Sequence, residues 1–271
     1  MGVENARWQR VIGIVGGLGP YAHLELERRL LANVESPSED AAYPEWILSS
    51  IPQTPDRTVA LMGLGPSPVP WLVRSLERLS GCADFAVIGC ITAHAFLPEV
   101  RREARLPILD LVATTLGAVD RRFGPSAQVG VLATTGTLRS GLFARTGAWA
   151  APGLQVISLL DLEGGEGLQE SLVMRPVYGP LHEGRRLAGG IKSGDTHDPE
   201  TGIPHRETLA RAAGLLAGAG AVCVITGCTE IPLALGREEV DGLPLVDPLD
   251  EGARAALAIA RGELPLPATS P

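Results

Sequence analysis

Two short stretches of the chain bring a thiol together with polar partners. In VIGCITAHAF, residues 87–96, Cys90 is followed by Thr92 and His94; in GCTEIP, residues 227–232, Cys228 is followed by Thr229 and Glu230. A free thiol has a pKa of about 8.5, so modest tuning lets it act as an acid or a base near neutral pH. His94 lies four residues past Cys90, where it either orients the thiol or caps the next helix. Glu230 either tunes Cys228 or satisfies backbone amides at a helix start. The other two cysteines, Cys82 and Cys223, sit away from such turns and read as small hydrophobes. No two of the four form a CxxC pair of zinc-like spacing, and they are too few for a disulfide scaffold, so reduced thiols and no metal are expected.

The elements that must position these groups alternate in type. RVIGIVGG (10–17), EWILSS (45–50), DFAVIG (84–89), QVGVLA (128–133), LQVISL (154–159) and AVCVIT (221–226) are short apolar runs bounded by turn residues. Such runs suit parallel strands covered on both faces. Between them lie amphipathic stretches, among them 21–34, 69–81 and 206–220, and the βαβα order predicts an α/β fold with mainly parallel sheets flanked by helices.

The organisation is also duplicated. An apolar strand leads to GCITAH in the first half and another leads to GCTEIP in the second; IGIVGGLGP (12–20) is likewise echoed by VGVLATTGT (129–137). Two pseudo-symmetric lobes are therefore expected, 1–117 completed by 236–271, and 118–235. Ligands of open α/β sheets bind beyond the carboxyl ends of strands, so opposed lobes would form a cleft with a thiol on each wall.

Composition narrows the function classes. The 271 residues are 45% apolar and 20% charged, which is enough to bury a core. Twenty-three basic against 31 acidic residues give a net charge of −8, and no basic run interleaves with aromatics, so nucleic acid is not an expected partner. The opening MGVENARWQR lacks the order of a signal peptide, and no apolar run reaches the roughly 18 residues of a membrane span. A cytoplasmic protein with no membrane partner is the expectation.

Six blocks in order carry a resemblance: IGIVGGLGP, IPQTPDRT (51–58), GCITAHAF (89–96), VGVLATTGT, Tyr178-Gly179 with GIKSGD (190–195), and GCTEIPL (227–233). With them the chain resembles the aspartate/glutamate racemase superfamily, most closely its aspartate racemase branch. The resemblance implies a cofactor-independent, homodimeric amino-acid racemase that needs no pyridoxal phosphate. The family's catalytic cysteines fall on Cys90 and Cys228, one thiolate removing the α-proton while the other thiol delivers a proton to the opposite face. A single base returning its own proton would regenerate the same enantiomer, which explains why two are required. Without a cofactor, the carbanion depends on donors around the carboxylate.

The same resemblance gives Arg57 and Lys192 to a side-chain carboxylate, the arginine bidentate and the lysine as a flexible point charge. Either residue has a plainer reading as a solvated ion-pair partner. Thr92, Thr229, Thr134, Thr135 and Thr137 are expected to offer hydroxyls and amides to the α-carboxylate. Asp247 either closes the cleft near the amine or caps a helix. Two departures bear on substrate: Ile91 stands where the family's first motif carries asparagine, and 180–189 is longer than the usual connection, as an enlarged lid would be. A related two-cysteine isomerase, decarboxylase or hydantoin-type racemase on another carboxylate-like substrate, or a non-catalytic small-molecule binder, therefore stays open beside the aspartate or glutamate racemase.

Overall fold

The structure, a computed structural model, describes residues 8–35, 37, 39–236 and 238–268. Most of the opening stretch weighed as a leader lies outside the described residues. The apolar runs form strands. β1 (Ile12–Gly16), β2 (Trp46–Ser50), β3 (Phe85–Ile88) and β4 (Ile108–Leu109) make one sheet in the order β2-β1-β3-β4, with every neighbouring pair parallel. β5 (Gln128–Leu132) and β6 (Gln155–Ile157) begin a second sheet. A small antiparallel hairpin of β7 (Leu181–His182) and β8 (Arg185–Arg186) follows, standing apart from that sheet. β9 (Cys223–Thr226), β10 (Glu239–Val240) and β11 (Leu243–Val246) then complete the second sheet in the order β10-β11-β9-β5-β6. All its pairs are parallel except β10 with β11.

Coverage on both faces is complete for the interior strands β1, β3 and β9, which are buried along their whole length. It fails at the edge strands β2, which leaves Leu48 38% exposed, and β6, which has no fully buried residue, while the two-residue edge strand β4 is buried. β2 and β6 each lack a neighbour on one side, so their apolar runs are only half covered. Helices Pro20–Ala32, Val69–Leu79 and His205–Gly218 fall within one or two residues of the amphipathic stretches. Leu72, Leu76 and Leu79 pack with Val15, Ala86 and Ile88 in the core under the first sheet. Leu209 and Leu216 pack with Leu132 and Val224 under the second. Among the described residues, no helix is long and apolar enough to cross a membrane.

The chain divides into two units, between Thr114 and Thr115 and again between Pro248 and Leu249. The expected return to the first lobe at 236 is thereby corrected, as is the first boundary, by three residues. β11 hydrogen-bonds to β9 in parallel, Leu245 opposite Val224, so residues 236–248 belong with the second sheet. The internal duplication is topological: β2-β1-β3-β4 in the first sheet recurs as β6-β5-β9-β11 in the second.

The turn after β1 shows why a glycine is needed there. Gly17 has φ +81°, and a Cβ on it would lie 2.6 Å from the backbone of Ile51, whose N–H donates to Gly16. The left-handed dihedral alone costs a branched-free side chain about 1–3 kcal/mol. Gly17→Ala is therefore expected to lower stability by at least that amount, read as a fall in the urea midpoint with unchanged slope.

Candidate active site

Both cysteines follow the same local design. Cys90 lies two residues beyond the end of β3 and Cys228 two beyond β9, each after a glycine, and the strands occupy equivalent places in their sheets. Cys90 and Cys228 are 6% and 5% exposed, each within its unit's apolar core. Cys223 lies inside β9, where burial pushes its thiol up to about 12, as suits a core residue. Cys82 is exposed, and all four cysteines are free.

In the first unit the turn after Cys90 is fixed by His94. Nε2 of the imidazole accepts from the backbone N–H of Leu111 at 3.1 Å, so Nδ1 carries the hydrogen and donates to the Cys90 carbonyl at 2.9 Å. Burial pushes the imidazolium form down, outweighing the nearby Asp110 carboxylate, and the ring stays neutral. His94 thus holds the first amide of helix Leu111–Phe123 rather than capping the next helix, Leu97–Glu103, and its bond to Cys90 goes to the carbonyl. Asp110 Oδ1 completes the cap by accepting from Val112 and Ala113 at 3.0 Å each.

Thr92 is buried at the start of a short 3-10 turn. Ile91, 1% exposed, is packed as a core residue. Arg57 is buried at the start of helix Arg57–Leu61, and its guanidinium donates to the carbonyls of Leu18 at 2.6 Å and Pro55 at 3.2 Å. It thereby ties its own loop to the segment after β1.

The second unit assembles a denser cluster. Glu230 is 3% exposed, and although it stands at the N-cap of helix Ile231–Leu235, its side chain makes no cap hydrogen bond. Oε2 instead accepts from the Cys228 thiol at 3.0 Å and the Thr229 hydroxyl at 3.2 Å, while Oε1 lies 3.5 Å from Lys192 Nζ. Burial pushes this carboxyl up, but the Lys192 charge and the hydrogen bonds outweigh it, so it is held below the usual range. Burial and the adjacent Glu230 charge push the Cys228 thiol well above its ordinary value, against a smaller pull from Lys192. The resting cluster is thus a thiol donating to a carboxylate that is paired with an ammonium. Lys192 Nζ also stands 4.8 Å over the ring of Tyr178.

The remaining threonines form a separate group on the turn after β5. Thr134 and Thr137 are buried with their hydroxyls 2.9 Å apart, and the Thr135 amide donates to the Met174 thioether at 3.3 Å. Met174 ends a π-helical turn, Glu170–Met174, a local form frequent at functional sites. Asp247 is buried just before helix Pro248–Ala260, the place Asp110 holds in the first sheet. The long 180–189 segment folds as the β7–β8 hairpin, turning at Glu183 and Gly184 with φ 47° and 79°. Arg186 on β8 grips Glu170 with two bonds of 2.6 and 2.7 Å. Sequence reasoning missed Tyr178 and Met174 as neighbours of the expected site residues; Tyr178 had a signal in its Tyr-Gly pair, Met174 none. Among the described residues no group of three or more His, Cys, Asp or Glu is arranged to hold a metal ion.

Residues 15–157 match the family described as Asp/Glu/Hydantoin racemase. A glutamate racemase of Deinococcus radiodurans is 31% identical over 173 residues, 63% of this chain and 50% of the relative. The broad specificity amino-acid racemase RacX of Bacillus subtilis is 26% identical over 139 residues, 49% of this chain and 58% of the relative. The chain thus spans about half the length of the curated relatives it matches. Among solved structures, Picrophilus torridus aspartate racemase is similar with a TM-score of 0.69 at 21% identity, covering 94% of this chain and 95% of that one. An aspartate racemase homologue from Pyrococcus horikoshii gives 0.66 at 21% identity, covering 93% and 99%. At such identity these likenesses show the two-lobed α/β fold.

The neutral, buried His94 has a pH consequence. Its folded pKa is depressed, so below the unfolded value of 6.5 the unfolded chain binds a proton that the folded chain does not. Its contribution is present above that value and declines as pH falls. His94→Gln is expected to flatten the acid side of the stability curve, measured by urea unfolding from neutral to mildly acidic pH.

Proposed function

The chain belongs to the Asp/Glu/Hydantoin racemase family, and from that premise we propose that it is a cofactor-independent amino-acid racemase acting on aspartate or glutamate. The observation that carries this reading is the pair of cysteines, each two residues past the end of a topologically equivalent strand, with the Cys228 thiol held by a buried carboxylate. The names of the relatives, glutamate and aspartate racemases, support the substrate class.

In this mechanism the two thiols act on opposite faces of the α-carbon. Cys228 enters as the acid, because its proton is held by Glu230 and its thiolate is disfavoured by burial and by the neighbouring negative charge. Cys90 is the base in that direction, and the roles exchange for the other enantiomer. Negative charge developing on the α-carboxylate is met by the amides and hydroxyls of Thr92 and the Thr134–Thr137 turn. The Thr135 amide is well suited to this, since its present partner is a thioether, a weak acceptor that a carboxylate outcompetes. Arg57 and Lys192 would hold the side-chain carboxylate, Arg57 by exchanging one of its carbonyl partners. The enzyme would work in the cytoplasm as a homodimer.

A second reading keeps the two cysteines but changes the substrate. It is favoured by Ile91, an apolar core side chain at a place where the family pattern has an amide. Incubation with L- or D-aspartate and glutamate in deuterated water separates the readings. Racemisation brings solvent deuterium to the α-position while both enantiomers accumulate without added cofactor. Cys90→Ala and Cys228→Ala are each expected to reduce exchange by about 10²–10⁴-fold or more with unchanged circular dichroism. Absence of exchange with either acidic amino acid favours the second reading, and a physiological activity that survives both substitutions marks a binding protein.

A further inference from the structure

His23 is buried near the start of helix Pro20–Ala32, beside the turns that follow β1 and β3. Its ring reaches the first of these because Gly16 has no side chain: a Cβ there would lie 2.9 Å from the imidazole and 2.7 Å from Leu48 of β2. Nδ1 accepts from the Gly17 N–H at 3.3 Å, so the ring is neutral with its hydrogen on Nε2. A Cβ on Gly89 would stand 3.6 Å from the His23 Cα, an ordinary contact, and the Gly89 N–H donates to the Val15 carbonyl at 3.0 Å. One residue thus rests both on the turn after β1 and on the residue before Cys90. Arg57 uses the same turn. The carbonyl of Leu18, next to Gly17, takes the 2.6 Å bond from its Nη2, and Pro55 takes the 3.2 Å bond from its Nη1. The shorter bond is the anchor, and the longer is the one a carboxylate would displace. Helix Arg57–Leu61 in turn packs against the 3-10 turn Thr92–Phe96 that follows Cys90.

We propose that His23 is a positioning residue for Arg57: by accepting from Gly17 it fixes the Leu18 carbonyl, and with it the guanidinium, where a substrate carboxylate is gripped. This rests on the reading of Arg57 as a ligand for the side-chain carboxylate. Protonation ends the arrangement, since an Nδ1–H would point at a second N–H and Gly17 would lose its acceptor. Burial pushes the imidazolium form down, against a smaller upward pull from the Glu27 carboxylate one helical turn on. The neighbours of His23 from β1, β2, β3 and the turns after them, namely Gly16, Gly17, Leu48 and Gly89, carry no charged side chain. The positioned form is therefore present above the depressed folded pKa and is lost as pH falls through it.

Nuclear magnetic resonance of the full chain, with isotope-labelled arginine and histidine side chains, reads the Arg57 guanidinium without substrate. In the wild type its resonances are expected to move as His23 titrates between neutral and mildly acidic pH. His23→Asn, whose Oδ1 can stand in for Nδ1 but takes no proton, is expected to keep the neutral-pH spectrum and lose the shift. His23→Leu is expected to show displaced Arg57 resonances at every pH. KM for aspartate or glutamate follows the same order. In the wild type it rises on the acid side more than kcat falls, in His23→Asn it stays near its neutral value, and in His23→Leu it is raised roughly 3- to 10-fold throughout, the worth of one hydrogen bond. Comparison of wild type with His23→Asn cancels the buried His94, which both contain, and it stands whether or not His23→Leu folds. The proposal is overturned if His23→Leu leaves the Arg57 resonances and KM unchanged, or if wild type and His23→Asn share one acid limb. A guanidinium that follows His23 in a protein that exchanges no acidic amino acid defeats the proposed racemase alone and upholds the link to Arg57. Exchange activity with a guanidinium indifferent to His23 defeats the positioning role alone.

Discussion

A carboxylate removed from water stays charged only if the protein supplies what water did, and Glu230 is where this chain meets that demand. A thiol, a hydroxyl and an ammonium converge on its two oxygens. Each is itself constrained by the arrangement. The thiol is fixed in its protonated form, the hydroxyl of Thr229 is turned toward its neighbour, and the ammonium is kept close by the Tyr178 ring. Lys192 in turn is carried by a connection that leaves helix Arg175–Tyr178, forms the β7–β8 hairpin and returns. Arg186 anchors that hairpin to Glu170. The geometry around one buried charge therefore depends on a segment more than thirty residues earlier in the chain.

The strands legible in the sequence were those with long β-branched runs, because burial on both faces leaves an uninterrupted apolar signal. β4 and β11 escaped for different reasons. Ile108–Leu109 is too short to show a pattern, and Leu243–Val246 contains a proline, which argues against a strand interior. Missing β11 displaced the boundary of the second unit, since its pairing with β9 is what holds residues 236–248 there. The hairpin was legible only as extra length: Gly184 suits its left-handed turn, but Glu183, which also takes a positive φ, is not a residue type that signals one.

At the chemically interesting positions, residue type was legible and partnership was not. Cys90 and Cys228 declared themselves by repeated context, a strand, a glycine and a thiol. For His94 and Glu230, opposite resolutions followed from facts that spacing does not encode. The imidazole meets the first amide of a helix that begins seventeen residues later, so it caps that helix rather than the next. The carboxylate sits at a helix start, where capping is the default, yet the lysine and the thiol claim it instead. Long-range partners decide such cases, and they become visible only when the chain is folded.

The order in which the units are written along the chain has its own consequence. The second unit is one uninterrupted stretch, whereas the first needs helix Pro248–Ala260, which is encoded after all of the second. That helix closes the first unit by accepting from Gln9 and Arg10 at Ala260 and Ile259, by bonding Asn33 through Asp250, and by packing Gly252 against Leu111. On the ribosome, the first hundred or so residues must wait with an open core while the second unit emerges and folds. The early strands are thus exposed longest during synthesis, and a chain stalled before residue 248 would leave one finished unit attached to an unfinished one.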